Sequence, residues 1–205
     1  MFIDQLISEL AQYTREGDKK PQPDTLKPLM LTLHCLFPND LLLALDILDR
    51  RLVRHLVYTV EEDVSPTSNP NIFLVMSAST APSTGGSLSS STFTQHQKGY
   101  EVRLHAWNCT CPTFALSAFR EARPAADAET TTPEVVQDQP SEKNLAYPFG
   151  GTLTRPTAEG APPICKHILA CVLFARCPGL FAPDEDERCA VSMEELAGWC
   201  AGWGG

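Results

Sequence analysis

The chain has 205 residues, 43% of them hydrophobic and 20% charged, with a formal net charge of −9. That is apolar material enough for one domain of ordinary size, or a small domain with long appendages. The charge argues against a nonspecific grip on DNA or an anionic membrane, which needs a basic surface. It is also uneven: residues 1–120 carry 10 basic and 12 acidic groups, net −2, and residues 121–205 carry 6 and 13, net −7.

The opening stretch "MFIDQLISELAQYTREGDKK" has early acidic residues and no long apolar core, unlike a signal peptide. Within it Ile3, Leu6, Ile7 and Leu10 recur at helical spacing, which predicts an amphipathic helix over 2–14. Such a stripe packs on its own domain or meets a partner. "TREGDKKPQPD" reads as a turn or linker. "TLKPLMLTLHCLF" and "NDLLLALDILDRR" read as two more helices, broken at Pro38, with Asn39 or Asp40 as N-cap of the second. Arg50, Arg51 and Arg54 close that helix, where cations suit the dipole; a phosphate contact is the alternative.

"LVRHLVYTVEE" and "NIFLVMSAS" predict two strands. The Ser/Thr/Gly-rich stretch 79–92 predicts a flexible loop. "GYEVRLHAW" then alternates, with Tyr100, Val102, Leu104 and Ala106 on one side, and predicts a third strand running straight into Cys109. After Cys111, Pro112 suits the first position of a helix whose apolar face is Phe114, Ala115, Ala118 and Phe119. Residues 124–161 turn Pro-, Ala-, Thr- and Glu-rich without period, the composition of a disordered insertion. Order returns at "PPICKHILACVLFARC", a helix apolar nearly all round and closed by Pro178 and Gly179. Its apolar run, 168–175, is far short of the roughly 20 residues that span a bilayer. "SMEELAGWCAGW" predicts a last short helix with Ser192 as cap. A soluble chain in a reducing compartment is expected, with its eight cysteines serving as thiols or metal ligands.

Two spacings carry chemistry. Cys109 and Cys111 are one residue apart, too close for an unstrained disulfide and without the two intervening residues of a redox pair. Cys165 and His167 repeat the spacing at the start of the buried helix, after a gap of 53 residues. Three thiolates and an imidazole suit one tetrahedral zinc, and a complete four-ligand shell is that of a structural site. The alternative is three ordinary buried thiols and a core histidine. Cys171, four residues after His167 on the same helix face, is a rival ligand, although its apolar surroundings suit a core thiol. Cys35, Cys177, Cys189 and Cys200 lack paired spacing, and His34, His55, His96 and His105 have no assigned role.

Cys-x-Cys, a variable gap and Cys-x-His with a small residue three positions on, here Ala170, resembles the SWIM-type zinc finger. "CTCPTFALSAF" and "ICKHILA" are similar to that motif in the SWIM-domain subunit of the Shu complex, and "LHCLFPNDLLLALDILDRRLV" is similar to the helical segment before it. The blocks are 31–60, 99–120 and 163–176; the loop at 79–92 and the insertion at 124–161 are longer than in compact members. The resemblance implies zinc on Cys109, Cys111, Cys165 and His167. It implies a non-catalytic nuclear partner of a RecA-like recombinase paralogue, promoting recombinase filament assembly in homologous recombination. The apolar helices around the ligands would form the partner surface.

The expected fold is α+β: N-terminal helices, a short antiparallel sheet and two helices around a Cys3His site, with disordered insertions. The expected division is a helical segment leading into the first strand (1–63), the second strand and loop (64–98), the finger (99–178) and an acidic C-terminal tail (179–205). A direct DNA-binding zinc protein is the second reading, with DNA otherwise met only through the complex. A thiol redox protein is the third, without a Cys-x-x-Cys or a thioredoxin-like pattern to support it. No Gly-x-Ser-x-Gly and no phosphate loop is present.

Overall fold

The computed structural model describes residues 2–12, 23–58, 72–77, 99–121, 147–153, 161–181 and 188–191, with 194 and 197–198. In chain order it contains α1 (Phe2–Gln12), α2 (Pro23–Leu36), α3 (Leu41–Asp49), β1 (Val53–Tyr58), β2 (Ile72–Met76), β3 (Gly99–Arg103), β4 (Asn108–Cys109), α4 (Pro112–Glu121), α5 (Lys166–Arg176), α6 (Pro178–Phe181) and β5 (Arg188–Val191). The mixed α+β class is as expected. The Ser/Thr/Gly-rich stretch, residues 122–146 and 154–160, His96, Cys200 and most of the last expected helix lie outside the described residues.

α3 shows how local sequence sets the entry to the sheet. Asp40 occupies the N-cap position but makes no side-chain cap. The carbonyl of Phe37 takes its place, accepting from the amides of Asp40 at 3.3 Å and Leu41 at 2.9 Å. At the other end Arg51 adopts φ 52°, the left-handed conformation that usually falls to glycine. The amide of Leu52 reaches back to Ile47 O at 3.0 Å and that of Arg51 to Leu48 O at 3.0 Å, which is a Schellman closure. Ile47 and Leu52 are both buried, as the motif's hydrophobic contact requires. The next residue, Val53, opens β1. The arginines at this end serve their own chain: Arg50 pairs with Asp46 at 3.7 Å, and Arg54 donates to Arg51 O at 2.9 Å.

The sheet order is β4-β3-β2-β1-β5. β1 to β4 form an antiparallel meander, and β5 adds to β1 in parallel, with Leu56 opposite Cys189. The expected antiparallel sheet is thus incomplete, because a parallel edge strand comes from the segment read as an acidic tail. Residues Ile72 to Val75 of β2 are all buried, as befits a central strand. Phe73, Val75, Val102 and Val53 join the helix-facing core. The expected third strand ends early. β3 stops at Arg103, a turn follows with Trp107 N–H on Leu104 O at 3.1 Å, and the chain reverses so that Cys109 lies opposite Val102.

α5 runs through the centre of the molecule. It packs chiefly on α3, and touches α1, α6, β1, β3 and β4. Ile168 through Leu173 are fully buried. On α1, Leu6, Ile7 and Leu10 are buried in the same core. The two stripes that could have met a partner are therefore consumed by the protein's own interior. On α4 the face expected to be apolar is only half used: Phe114 is buried, and Phe119 is 77% exposed.

A further correction concerns the insertion. Residues 147–153 lie within the stretch expected to be disordered, yet they dock on the core. Phe149 is buried between Phe37, at 5.8 Å between ring centroids, and Trp107, at 4.7 Å and edge to face. Its amide donates to Asp4 Oδ1 at 2.9 Å. Thr152 and Leu153 both donate backbone N–H groups to His105 O, at 2.9 and 3.0 Å. Aromatic burial and these backbone bonds repay the ordering entropy that the surrounding composition alone could not.

The same Asp4 carboxylate binds Arg176 Nη1 at 2.6 Å, while Arg176 Nη2 donates to Asp4 O at 2.8 Å and Ser8 Oγ at 2.9 Å. The side chains are 5% exposed for Arg176 and 16% for Asp4, so water screens the pair poorly. Removing one partner leaves a buried charge uncompensated. Asp4→Ala is expected to cost about 3–5 kcal/mol in urea-induced unfolding. An exposed pair of the same type, such as Arg50 with Asp46, is expected to give under about 1 kcal/mol on Asp46→Ala.

Candidate metal centre

The β3–β4 hairpin aims the first pair of ligands. Thr110, between the two cysteines, donates its amide to Glu101 O at 3.0 Å, and its hydroxyl accepts from the Glu101 amide at 3.0 Å. Thr110 is exposed, whereas Cys109 and Cys111 are buried at 3% and 2%. The residue between the thiols is thus clamped outward, and both thiols turn in. Cys111 then caps α4 with its sulfur. The amide of Phe114, third in the helix, donates to Cys111 Sγ at 3.3 Å, and Ala115 N–H bonds Cys111 O at 3.1 Å. Pro112 is the first helical residue, as expected, where no amide is needed. The Cys111 amide donates to Cys109 Sγ at 3.4 Å.

The second pair comes from the start of α5. Cys165 is its N-cap residue, extended at φ −140° and ψ 165°, and His167 is the second residue of the helix. His167 Nδ1 lies 3.8 Å from Cys109 Sγ, and its ring packs on Tyr100 with centroids 4.6 Å apart. The ligand atoms of Cys109, Cys111, Cys165 and His167 all lie within 4.8 Å of one another, and all four residues are buried. Four such side chains can hold one metal ion.

The thiols perturb each other strongly. A hydrogen bond with Cys109 chiefly holds Cys111 well below the ordinary thiol range. The bonds of Cys109 with Cys111 and Cys165, with burial, push Cys109 far up. On Cys165 the bond with Cys109 acts downward, but the bond with Cys111 and burial outweigh it and carry it to about 12. One member of the cluster therefore ionises readily, and the others do so only when positive charge arrives.

Among the described residues no other group of three or more ligand-type side chains converges in this way. Cys171, the rival ligand, stays outside the cluster; it is fully buried, and burial raises its thiol well above the ordinary value. Cys177 is buried with Sγ 3.7 Å from Ile7 O, and Cys35 is exposed. His34, His55 and His105 lie elsewhere; His55 stacks on Phe73 at 4.7 Å, and His105 Nδ1 meets Thr152 Oγ1 at 3.1 Å. No helix among the described residues is long and apolar enough to cross a membrane. No protein-family model, curated protein or solved structure matches the chain.

Elemental analysis of purified protein checks the assignment directly. The native chain and Cys171→Ser are expected to carry one metal ion each. Cys165→Ser and His167→Ala are each expected to lose most of it, and Cys109→Ser with Cys111→Ser all of it.

Proposed function

We propose that this is a non-catalytic zinc protein whose Cys3His centre shapes an interaction subunit of homologous recombination. The observation that carries the zinc reading is the convergence of three sulfurs and one imidazole in a buried cluster. Tetrahedral bonds of about 2.3 Å to sulfur and 2.0–2.1 Å to nitrogen put neighbouring ligand atoms about 3.6–3.8 Å apart. The Cys109–His167 separation of 3.8 Å is close to the sulfur–nitrogen edge, the shorter of these, and the other ligand pairs stay within 4.8 Å. Thiolate-rich sets suit zinc over the hard cations magnesium and calcium. A complete four-ligand shell leaves no position for substrate, which favours a structural role over hydrolysis.

The recombination reading rests on the resemblance of the ligand pattern and the helices before it to the SWIM-domain subunit of the Shu complex. It makes the partner a RecA-like recombinase paralogue and the location nuclear. With α1 and α5 occupied internally, a partner would meet apolar side chains that stay exposed, such as Leu42 and Leu43 on α3 and Leu116 and Phe119 on α4. The net charge of −9 favours contact with DNA through a complex over contact by the chain itself.

Zinc affinities of structural sites, on the order of 10–16 kcal/mol, match or exceed the about 5–15 kcal/mol that holds a domain folded. Loss of the ion should then disturb every surface built around it. A pull-down from nuclear extract, comparing the native chain with Cys165→Ser, tests the reading. A RecA-like paralogue is expected with the native chain and not with the variant. Equal recovery by both, or no recombinase-related protein with the native chain, refutes it. Tight, salt-sensitive DNA binding by the chain alone would favour a direct DNA-binding protein.

A further inference from the structure

Trp107 stands two residues before Cys109, and Pro163 stands two residues before Cys165. The indole N–H of Trp107 donates to the carbonyl of Pro163 at 2.8 Å. One hydrogen bond therefore ties together the two stretches that deliver the ligand pairs, at the same offset from each. The 53-residue gap between the pairs leaves their separation to tertiary contacts of this kind.

The indole is held from the other side. Phe149 meets it edge to face at 4.7 Å, and Trp107 itself is 3% exposed. Its backbone sits at φ 45°, a conformation that a bulky residue keeps only when its surroundings over-determine it. Part of that determination comes from Gly151. At φ 79° it lies so close that an added Cβ would stand 2.6 Å from His105 O and 3.1 Å from Trp107 Cβ. The backbone bonds from Thr152 and Leu153 to His105 fix this approach. Residues 147–153 thus clamp the turn that carries Trp107, and Trp107 clamps the approach to Cys165.

We infer that Trp107 is a positioning residue for the metal centre: its bond to Pro163 holds Cys109-x-Cys111 and Cys165-x-His167 in register, and the docked segment 147–153 locks its ring. The inference rests on the zinc reading above. It adds that ligand geometry is set in part by a residue that is not itself a ligand.

The test uses the full chain and zinc alone, with affinity measured by competition against a chromophoric chelator. Trp107→Phe keeps a ring against Phe149 but deletes the N–H. It is expected to weaken zinc binding by up to about 10-fold, the lower end of the effect of partners bonded directly to a ligand. The absorption bands of the cobalt-substituted variant should also shift, reporting distorted ligand geometry. Leu56→Ala, buried on β1 outside the cluster that holds Trp107, Phe149 and the ligand cysteines, is the control: it should lower the melting temperature without changing zinc affinity or the cobalt spectrum. Phe149→Leu leaves the N–H in place and should weaken zinc in the same direction by less; it decides the matter if Trp107→Phe does not fold. Unchanged affinity and spectrum in both brace variants overturn the inference, as does an equal loss in Leu56→Ala. A native chain that binds no zinc overturns the metal reading itself, and the brace with it.

Discussion

Three buried thiols within a few ångströms of one another are the constraint around which the rest of this protein is arranged. Like charges at that separation cannot all exist in a low-dielectric interior unless a cation lies between them. The chain prepares for one with partial positive charge: the Phe114 amide points at Cys111 and the Cys111 amide at Cys109. Cys111 and Cys165 stand at the starts of α4 and α5, where the helix dipole favours anionic sulfur. The four ligands are part of the main core, not an appendage to it. Cys109, Cys111 and Cys165 belong to the same buried cluster as Ile7 of α1 and Leu48 of α3. A perturbation at the sulfurs is therefore felt by the packing of this shared cluster, and the reverse.

The ligands were legible in the sequence because their spacing is short and their residue types are restrictive. Cys109-x-Cys111 and Cys165-x-His167 are the residues that the structure brings together. The helices were legible for a similar reason, since a stripe such as Ile3, Leu6, Ile7 and Leu10 repeats within one element. The helix over Lys166–Arg176 announced its central place by being apolar on every side, and its burial agrees. What that apolarity meant was ambiguous, because surface covered by the protein's own chain and surface covered by a partner look alike in one dimension.

Other features left little trace. The docking of residues 147–153 is carried by one phenylalanine, two glycines at positive φ and a few backbone bonds. Averaged over a 38-residue stretch, that signal drowns in proline, alanine, threonine and glutamate. The glycine pair and the aromatics just before it in "YPFGG" were the available clue, since paired glycines suit a close approach of backbones. Alternation through Leu104 and Ala106 hid the turn after Arg103, which is set by tertiary contacts of Trp107. The parallel pairing of Arg188–Val191 with β1 depends on a partner more than a hundred residues away, and four residues have no period to read.

The latch between Asp4 and Arg176 has a consequence for how the protein is made. Its two halves are 172 residues apart, and Phe149 joins the same carboxylate from 145 residues away. β1 acquires its outer neighbour only when Arg188–Val191 is present. On a ribosome, α1 and the first three strands emerge long before α5, the helix against which they bury their apolar faces. Until then Ile7, Phe73 and Val75 lack the central helix of their core, and the free edge of β1 is a template for unwanted pairing. Contacts at such separations also slow the closing search, since long loops must form before their contacts repay them. A nascent chain of this design keeps most of its apolar surface waiting for elements that lie late in the sequence.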